Sequence, residues 1–234
     1  MQQPRYEFPA QITALPIDGS DTLFPVRRIY CVGRNYLDHI REMKEADERE
    51  PPFFFQKPTD SIVQHGATVP YPPDTKDFQF EVELVAAIAH AGRNIDRSDA
   101  LEHIFGYAVG IELTRRDRQR EMREKMLPWE RGKSFDHSSP CGSLRRVRAV
   151  GHPSSGSITL AVNGAVKQRG DIAQMIWTVP EIIANLSASY KLEPGDLVFT
   201  GTPAGVAAVQ IGDRLEGRVA EVGSIEVTIG APEA

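Results

Sequence analysis

Cysteine is scarce: the 234 residues contain two, Cys31 and Cys141, far apart in the chain. That excludes a disulfide framework, and Cys31, inside the apolar run Ile29-Tyr30-Cys31-Val32, reads as a small buried hydrophobe. Long apolar runs are missing too, and none approaches the ~20 residues that a membrane span needs. No basic stripe with interleaved aromatics occurs and the net charge is −5, which argues against nucleic acid as a partner. Met1-Gln2-Gln3-Pro4-Arg5 lacks the apolar core of a signal peptide, and together these features predict a cytoplasmic protein. A Gly-x-Ser-x-Gly elbow is absent, as are phosphate-binding loops and Gly-x-Gly-x-x-Gly, so neither a serine hydrolase nor a nucleotide cofactor is indicated.

Present in ordinary measure are hydrophobic residues (41%) and charged ones (25%), in a chain long enough to bury a sizeable core. The most informative stretch is 78–88, Phe-Gln-Phe-Glu-Val-Glu-Leu-Val-Ala-Ala-Ile. Its period-two alternation predicts one strand, with Glu81 and Glu83 on the same face. Such a pair is either a solvated strand face or half of a cation site, since adjacent carboxylates repel without a cation between them. A third acid, Glu112, sits in the similar strand Gly106-Tyr107-Ala108-Val109-Gly110-Ile111-Glu112-Leu113. Three acids converging in apolar surroundings suit a hard divalent ion.

Residues 1–25, rich in proline and polar side chains, read as an N-terminal arm or strand, and 26–234 as the main domain. A short strand at 26–32 leads to Asn35, a helix N-cap, with Asp38 favourably placed in the first turn. His39 and Glu42 lie three apart on that helix and can hydrogen-bond, as a surface contact or within a site. The charge run at 44–50 is a solvated helix end or a segment able to close over the site. Phe53-Phe54-Phe55-Gln56-Lys57-Pro58 reads as a buried strand, with Lys57 solvated or facing substrate. A helix is expected over 96–105, and a charged helix with an exposed loop over 115–131. Asn163-Gly164 marks a hairpin between 158–162 and 165–168. A helix beginning at Thr178 or in the residues before Pro180 and running through Leu186, a buried strand ending at Thr200 and strands near 213–219 and 224–229 complete a mixed, β-rich α/β domain.

Six motifs in order carry a family resemblance from about residue 27 onward. They are Gly33-Arg34-Asn35-Tyr36 with His39 and Glu42, Phe55-Gln56-Lys57-Pro58, Glu81-Val82-Glu83-Leu84, Gly106-Tyr107 through Arg116-Asp117-x-Gln119, Lys133-Ser134-Phe135-Asp136, and Thr200-Gly201-Thr202-Pro203-Ala204-Gly205-Val206. With them the sequence resembles the fumarylacetoacetate hydrolase family. Pro128-Trp129 and Arg169-Gly170-Asp171 ahead of Met175-Ile176-Trp177 look most like its fumarylpyruvate (acylpyruvate) hydrolase branch.

The resemblance implies a β-sandwich roll, usually homodimeric, with Mg²⁺ or Mn²⁺ held by Glu81, Glu83 and Glu112. It implies a catalytic dyad of His39 and Glu42 on a mobile helix, a catalytic Lys133, and substrate contacts from Arg34, Arg116, Gln119 and Thr202. Bland readings stand beside the last group: Arg116 paired with an acid, Lys133 solvated, Thr202 a turn residue. Two departures stand out: the family normally has Asp where this chain has Glu112, and many relatives carry His where it has Phe80. The implied activity is hydrolysis of a C–C bond in a 2,4-dioxo acid, fumarylpyruvate giving fumarate and pyruvate in aromatic-compound catabolism. The rivals are oxaloacetate decarboxylation on the same site and a relative that only binds an ion.

Overall fold

Period-two apolar alternation along the chain becomes strands whose faces serve different cores. The computed structural model describes residues 7–9, 11–43 and 50–233; of the charge run at 44–50, all but Glu50 lies outside them. A hairpin of β1 (Ala14–Pro16) and β2 (Leu23–Pro25) precedes β3 (Arg28–Gly33), α1 (Leu37–Glu42) and β4 (Phe53–Lys57). Then come β5 (Ile62–Val63), β6 (Thr68–Pro70), β7 (Phe78–Gln79), β8 (Val82–Ile88) and β9 (Ile104–Ile111). β10 (Thr114–Arg115), α2 (Arg116–Glu124), α3 (Glu130–Lys133), β11 (Ser139–Pro140), β12 (Arg145–Arg146) and α4 (Val147–Val150) follow. The chain continues with β13 (Ser157–Val162), β14 (Ala165–Asp171), α5 (Val179–Ser189), β15 (Asp196–Phe199), β16 (Arg214–Val219) and β17 (Gly223–Gly230).

Among the described residues, a six-stranded sheet in the order β12-β9-β8-β15-β3-β4 packs on a five-stranded sheet, β14-β13-β16-β17-β6. Val82, Leu84, Ala86 and Ile88 on β8 join Ile158, Leu160, Leu215, Ile225 and Val227 in the core between the sheets. The opposite face of β8 gives Val85 and Ala87 to a second core, with Cys31, Ala108, Leu197, Phe199 and the N-terminal Leu15, Ile17 and Phe24. Glu83 shares that second face by parity. This is the β-rich α/β sandwich expected from the sequence. No helix among the described residues is long and apolar enough to cross a membrane.

Three local expectations need correction. The single strand at 78–88 is broken at Phe80 and Glu81: β7 pairs with β10 while β8 pairs with β9. At the gap the Glu112 N–H donates to the Glu81 carbonyl at 2.7 Å, so both ladders are interrupted where two of the acids stand. The helix expected at 96–105 is only a 3-10 turn at Ala100–His103; Ile104 and Phe105 belong to β9, whose register opposite β8 overrides their helical spacing. Tyr36, not Asn35, is the N-cap of α1.

Asn35 has other partners. Its amide donates to the Thr200 and Trp177 carbonyls at 2.7 and 3.0 Å, and its Oδ1 accepts from the Trp177 N–H at 2.7 Å. It therefore ties the start of α1 to the end of β15 and to the segment before α5. Asn35→Ala should lower unfolding free energy by about 2–4 kcal/mol, because buried backbone groups lose their partner. Urea denaturation checks this: a lower midpoint at unchanged slope is expected, and an unchanged midpoint contradicts the assignment.

Candidate metal centre and active site

Glu81, Glu83 and Glu112 are 3, 0 and 2% exposed. One carboxylate oxygen from each lies within 4.8 Å of the others. β8 and β9 bring them together: Glu83 sits opposite Gly110, and Glu112 continues the same face beyond β9. Gly110 is required there, since a Cβ would stand 2.5 Å from the Phe199 ring and 2.7 Å from Val85.

Buried like charges need compensation. Lys133 Nζ donates to Glu81 at 2.7 Å and to Thr114 Oγ1 at 2.8 Å, and lies 3.3 Å from Glu112. Arg116 donates to Glu81, Gln79 and Gln119. Burial alone pushes the Glu81 carboxyl up, but the Lys133 and Arg116 charges outweigh it and hold Glu81 well below the usual range. Glu83 is left differently. Burial first, then the Glu112 and Glu81 charges, push its carboxyl well above the usual range, and the 2.6 Å bond from the Gly201 N–H only partly opposes them. Burial pulls Lys133 down, but Glu112 and Glu81 raise it overall.

The donor set fits a hard divalent cation. Among the described residues, Glu83 Oε1 and Glu112 Oε1 are buried without a hydrogen-bond partner, an arrangement that a cation between them would satisfy. Glu81, Glu83 and Glu112 would hold the ion.

His39 lines the same cleft, together with Arg34, Asn35, Met43, Phe55, Trp129, Gly201 and Thr202. Its Nδ1 lies 3.2 Å from Glu42 Oε2, and Glu42 also accepts the Gly205 N–H at 3.1 and 3.2 Å. Burial raises Glu42, but the His39 hydrogen bond and the Gly205 amide outweigh it and lower the carboxyl overall. Nδ1 is thereby engaged, leaving Nε2 for chemistry.

The structure thus brings every sequence-predicted site residue to one cleft except Glu42, which stands behind His39. Several have partners that sequence reasoning did not anticipate. Arg116 is engaged with Glu81 and two glutamines rather than presented to solvent, matching the bland reading. Thr202 Oγ1 donates to the Val82 carbonyl at 2.8 Å and accepts from Gln168 at 2.8 Å, so its hydroxyl braces β8. Lys133 is buried, not solvated.

Three residues were missed in these roles. Lys57 is neither solvated nor facing substrate: it donates to the Leu113 and Ser138 carbonyls at 3.2 and 3.1 Å and to the Lys133 carbonyl, and sits 3.8 Å from Glu112. Its motif was visible, but its partners come from three distant segments. Gln168 accepts the Val82 N–H at 2.9 Å and carried no sequence signal beyond its place after the hairpin turn. Trp129 stands in the Pro128-Trp129 motif, which carries no indication in sequence of what its ring packs against.

An ion entering this site must displace the proton that Glu83 holds more tightly than an ordinary carboxyl. Mn²⁺ affinity should therefore rise with pH as Glu83 gives up that proton, at pH values above the range of an ordinary carboxyl, and Glu83→Gln should weaken binding at least about tenfold and flatten that slope. Titration calorimetry reads both; affinity indifferent to pH and to the substitution contradicts the site.

Comparison with known proteins agrees with this geometry. Residues 28–230 match the fumarylacetoacetate (FAA) hydrolase C-terminal family. A fumarylpyruvate hydrolase from Ralstonia sp. is 44% identical over 184 residues, covering 79% of this chain and 95% of that protein. The human mitochondrial oxaloacetate tautomerase FAHD1 is 35% identical over 207 residues, 88% of this chain and 93% of the relative. The crystal structure of fumarylpyruvate hydrolase from Pseudomonas aeruginosa in complex with Mn²⁺ and pyruvate superposes with a TM-score of 0.94 at 49% identity, covering 97% of this chain and all of that one. The match over residues 28–230, on a sandwich whose cleft holds three buried carboxylates and His39, places the chain in the fumarylacetoacetate hydrolase family.

Proposed function

We propose that this protein is a metal-dependent acylpyruvate hydrolase that splits fumarylpyruvate into fumarate and pyruvate. The observation that carries this reading is the carboxylate triad in one cleft with His39, which Glu42 holds from behind. The Ralstonia and Pseudomonas relatives support it. The proposal includes Mg²⁺ or Mn²⁺ as cofactor, a homodimer, a cytoplasmic location and a role in aromatic-compound catabolism.

When bound, the divalent ion supplies a Lewis acid for the 2-oxo acid end of the substrate. His39, oriented through Nδ1 by Glu42, takes a proton from water at Nε2, and the hydroxide attacks the 4-carbonyl carbon. The C3–C4 bond breaks, its electron pair passes to C3 beside the 2-oxo group, and the proton held by His39 returns there to give pyruvate. The attacked carbonyl becomes the carboxyl of fumarate. Lys133 acts as fixed positive charge beside Glu81 and Glu112 and keeps Glu81 ionised. Gln119 and Arg34 contact substrate, Thr202 fixes the cleft wall at β8, and Arg116 orients Glu81 and Gln119.

A second reading has an observation of its own: the oxaloacetate tautomerase relative acts on a shorter dicarboxylic 2-oxo acid. Oxaloacetate decarboxylation would use the same triad without an attacking water. Parallel assays of fumarylpyruvate and oxaloacetate, with Mn²⁺ and with chelator, separate them. Turnover of fumarylpyruvate should dominate and disappear with chelator; preference for oxaloacetate would reverse the assignment.

The dyad generates its own expectation. His39→Ala should reduce kcat on fumarylpyruvate about 10²- to 10⁴-fold. Mn²⁺ binding should stay intact, because His39 is not among the three ligands. Wild-type kcat in the variant refutes the dyad.

A further inference from the structure

We propose that the cleft carries a second subsite, formed by Phe55, Trp129 and Arg34, that recognises an acyl arm ending in a carboxylate. The proposal rests on the hydrolase reading and deepens it: the triad end takes the pyruvyl group common to acylpyruvates, and this subsite chooses among their acyl groups.

The turn that delivers Lys133 also delivers Trp129. Trp129 caps α3, and its carbonyl accepts the Lys133 N–H at 3.0 Å. α3 lies flush on α2, because a Cβ on Gly132 would stand only 2.8 Å from the Gln119 backbone nitrogen. Trp129 meets the Phe53 ring edge-on at 4.8 Å and the Phe55 ring at 5.9 Å. Phe53 in turn packs on the bare backbone of Gly33, where a Cβ would come within 2.0 Å of the ring. Phe55 and Trp129 thus present a braced apolar wall to the cleft, suited to the carbon chain of an acyl group.

Arg34 follows Gly33 directly. Its backbone is left-handed, with φ 61°, a conformation uncommon outside glycine that persists when surroundings hold it. The guanidinium lies 5.5 Å from the Phe53 centroid, at the edge of the aromatic group. Among the described residues the cleft has three permanent cations, Arg34, Arg116 and Lys133. Arg116 and Lys133 are buried and engaged with the triad. Arg34 is 35% exposed, on the solvent side of the cleft, and its 3.5 Å ion pair with Glu50, whose side chain is 60% exposed, is of the weak surface kind. A guanidinium at the rim beyond an apolar wall matches a ligand with carbon in the middle and a carboxylate at its far end.

The test compares kcat/KM for fumarylpyruvate and for acetylpyruvate, whose acyl arm is short and uncharged, with Mn²⁺ present. The ratio does not depend on the fraction of folded enzyme. Wild type should favour fumarylpyruvate, Arg34→Met should cut the ratio about 10- to 100-fold, and Arg34→Lys should restore part of it. Trp129→Ala should raise KM for fumarylpyruvate more than it lowers kcat. Equal kcat/KM for both substrates in wild type, or an unchanged ratio in Arg34→Met, overturns the subsite while leaving the hydrolase reading intact. Turnover of neither acylpyruvate by the Mn²⁺-loaded wild type sinks the hydrolase reading, and the subsite with it.

Discussion

Three carboxylates crowded into a dry interior repel one another, and the surrounding structure is arranged to contain that repulsion. Unit charges about 4 Å apart in a partly screened protein environment interact by about 4 kcal/mol, a large fraction of the stability of an ordinary domain. Lys133 and Arg116 neutralise Glu81, Lys133 and Lys57 flank Glu112, and Glu83 receives one backbone N–H. This compensation is uneven. Glu81 is held ionised, whereas Glu83 is driven toward its protonated form. A site left one cation short is poised to bind one.

The loop after β15 links this centre to the chemistry beside it. Gly201 donates its N–H to Glu83, and Gly205, four residues on, donates to Glu42. Asn35 fastens the start of α1 to Thr200 at the head of the same loop. The three buried acids and the His39–Glu42 pair are therefore registered against one backbone segment. Gln168 reaches across from the second sheet to brace Val82 and Thr202, so the sandwich architecture itself positions the loop. Placement within a fraction of an ångström matters for reactions of this kind.

How much of this the sequence revealed depended on the range of the interaction. Period-two alternation put Glu81 and Glu83 on one face, Asn163-Gly164 marked the hairpin, and Thr178 caps α5, all through contacts between near neighbours. The break at Phe80 and Glu81 was invisible, because β7 and β8 exchange partners only once β9 and β10 lie alongside them. Asn35 has the composition of a helix cap, yet partners more than 140 positions away claim its amide. Arg116, Thr202 and Lys57 tell the same story: residue type announced a polar task, and the distant groups meeting each side chain decided which task. Trp129 shows the reverse, a residue marked by motif whose use emerges only from the rings packed around it.

The central claim is that the three acids together hold one divalent ion. Diffraction from crystals grown with MnCl₂, recorded on both sides of the manganese absorption edge, tests it most directly. The account predicts one strong anomalous peak bonded to carboxylate oxygens of Glu81, Glu83 and Glu112. No peak among them at saturating manganese, with Lys133 and Arg116 still closing the site, would contradict it.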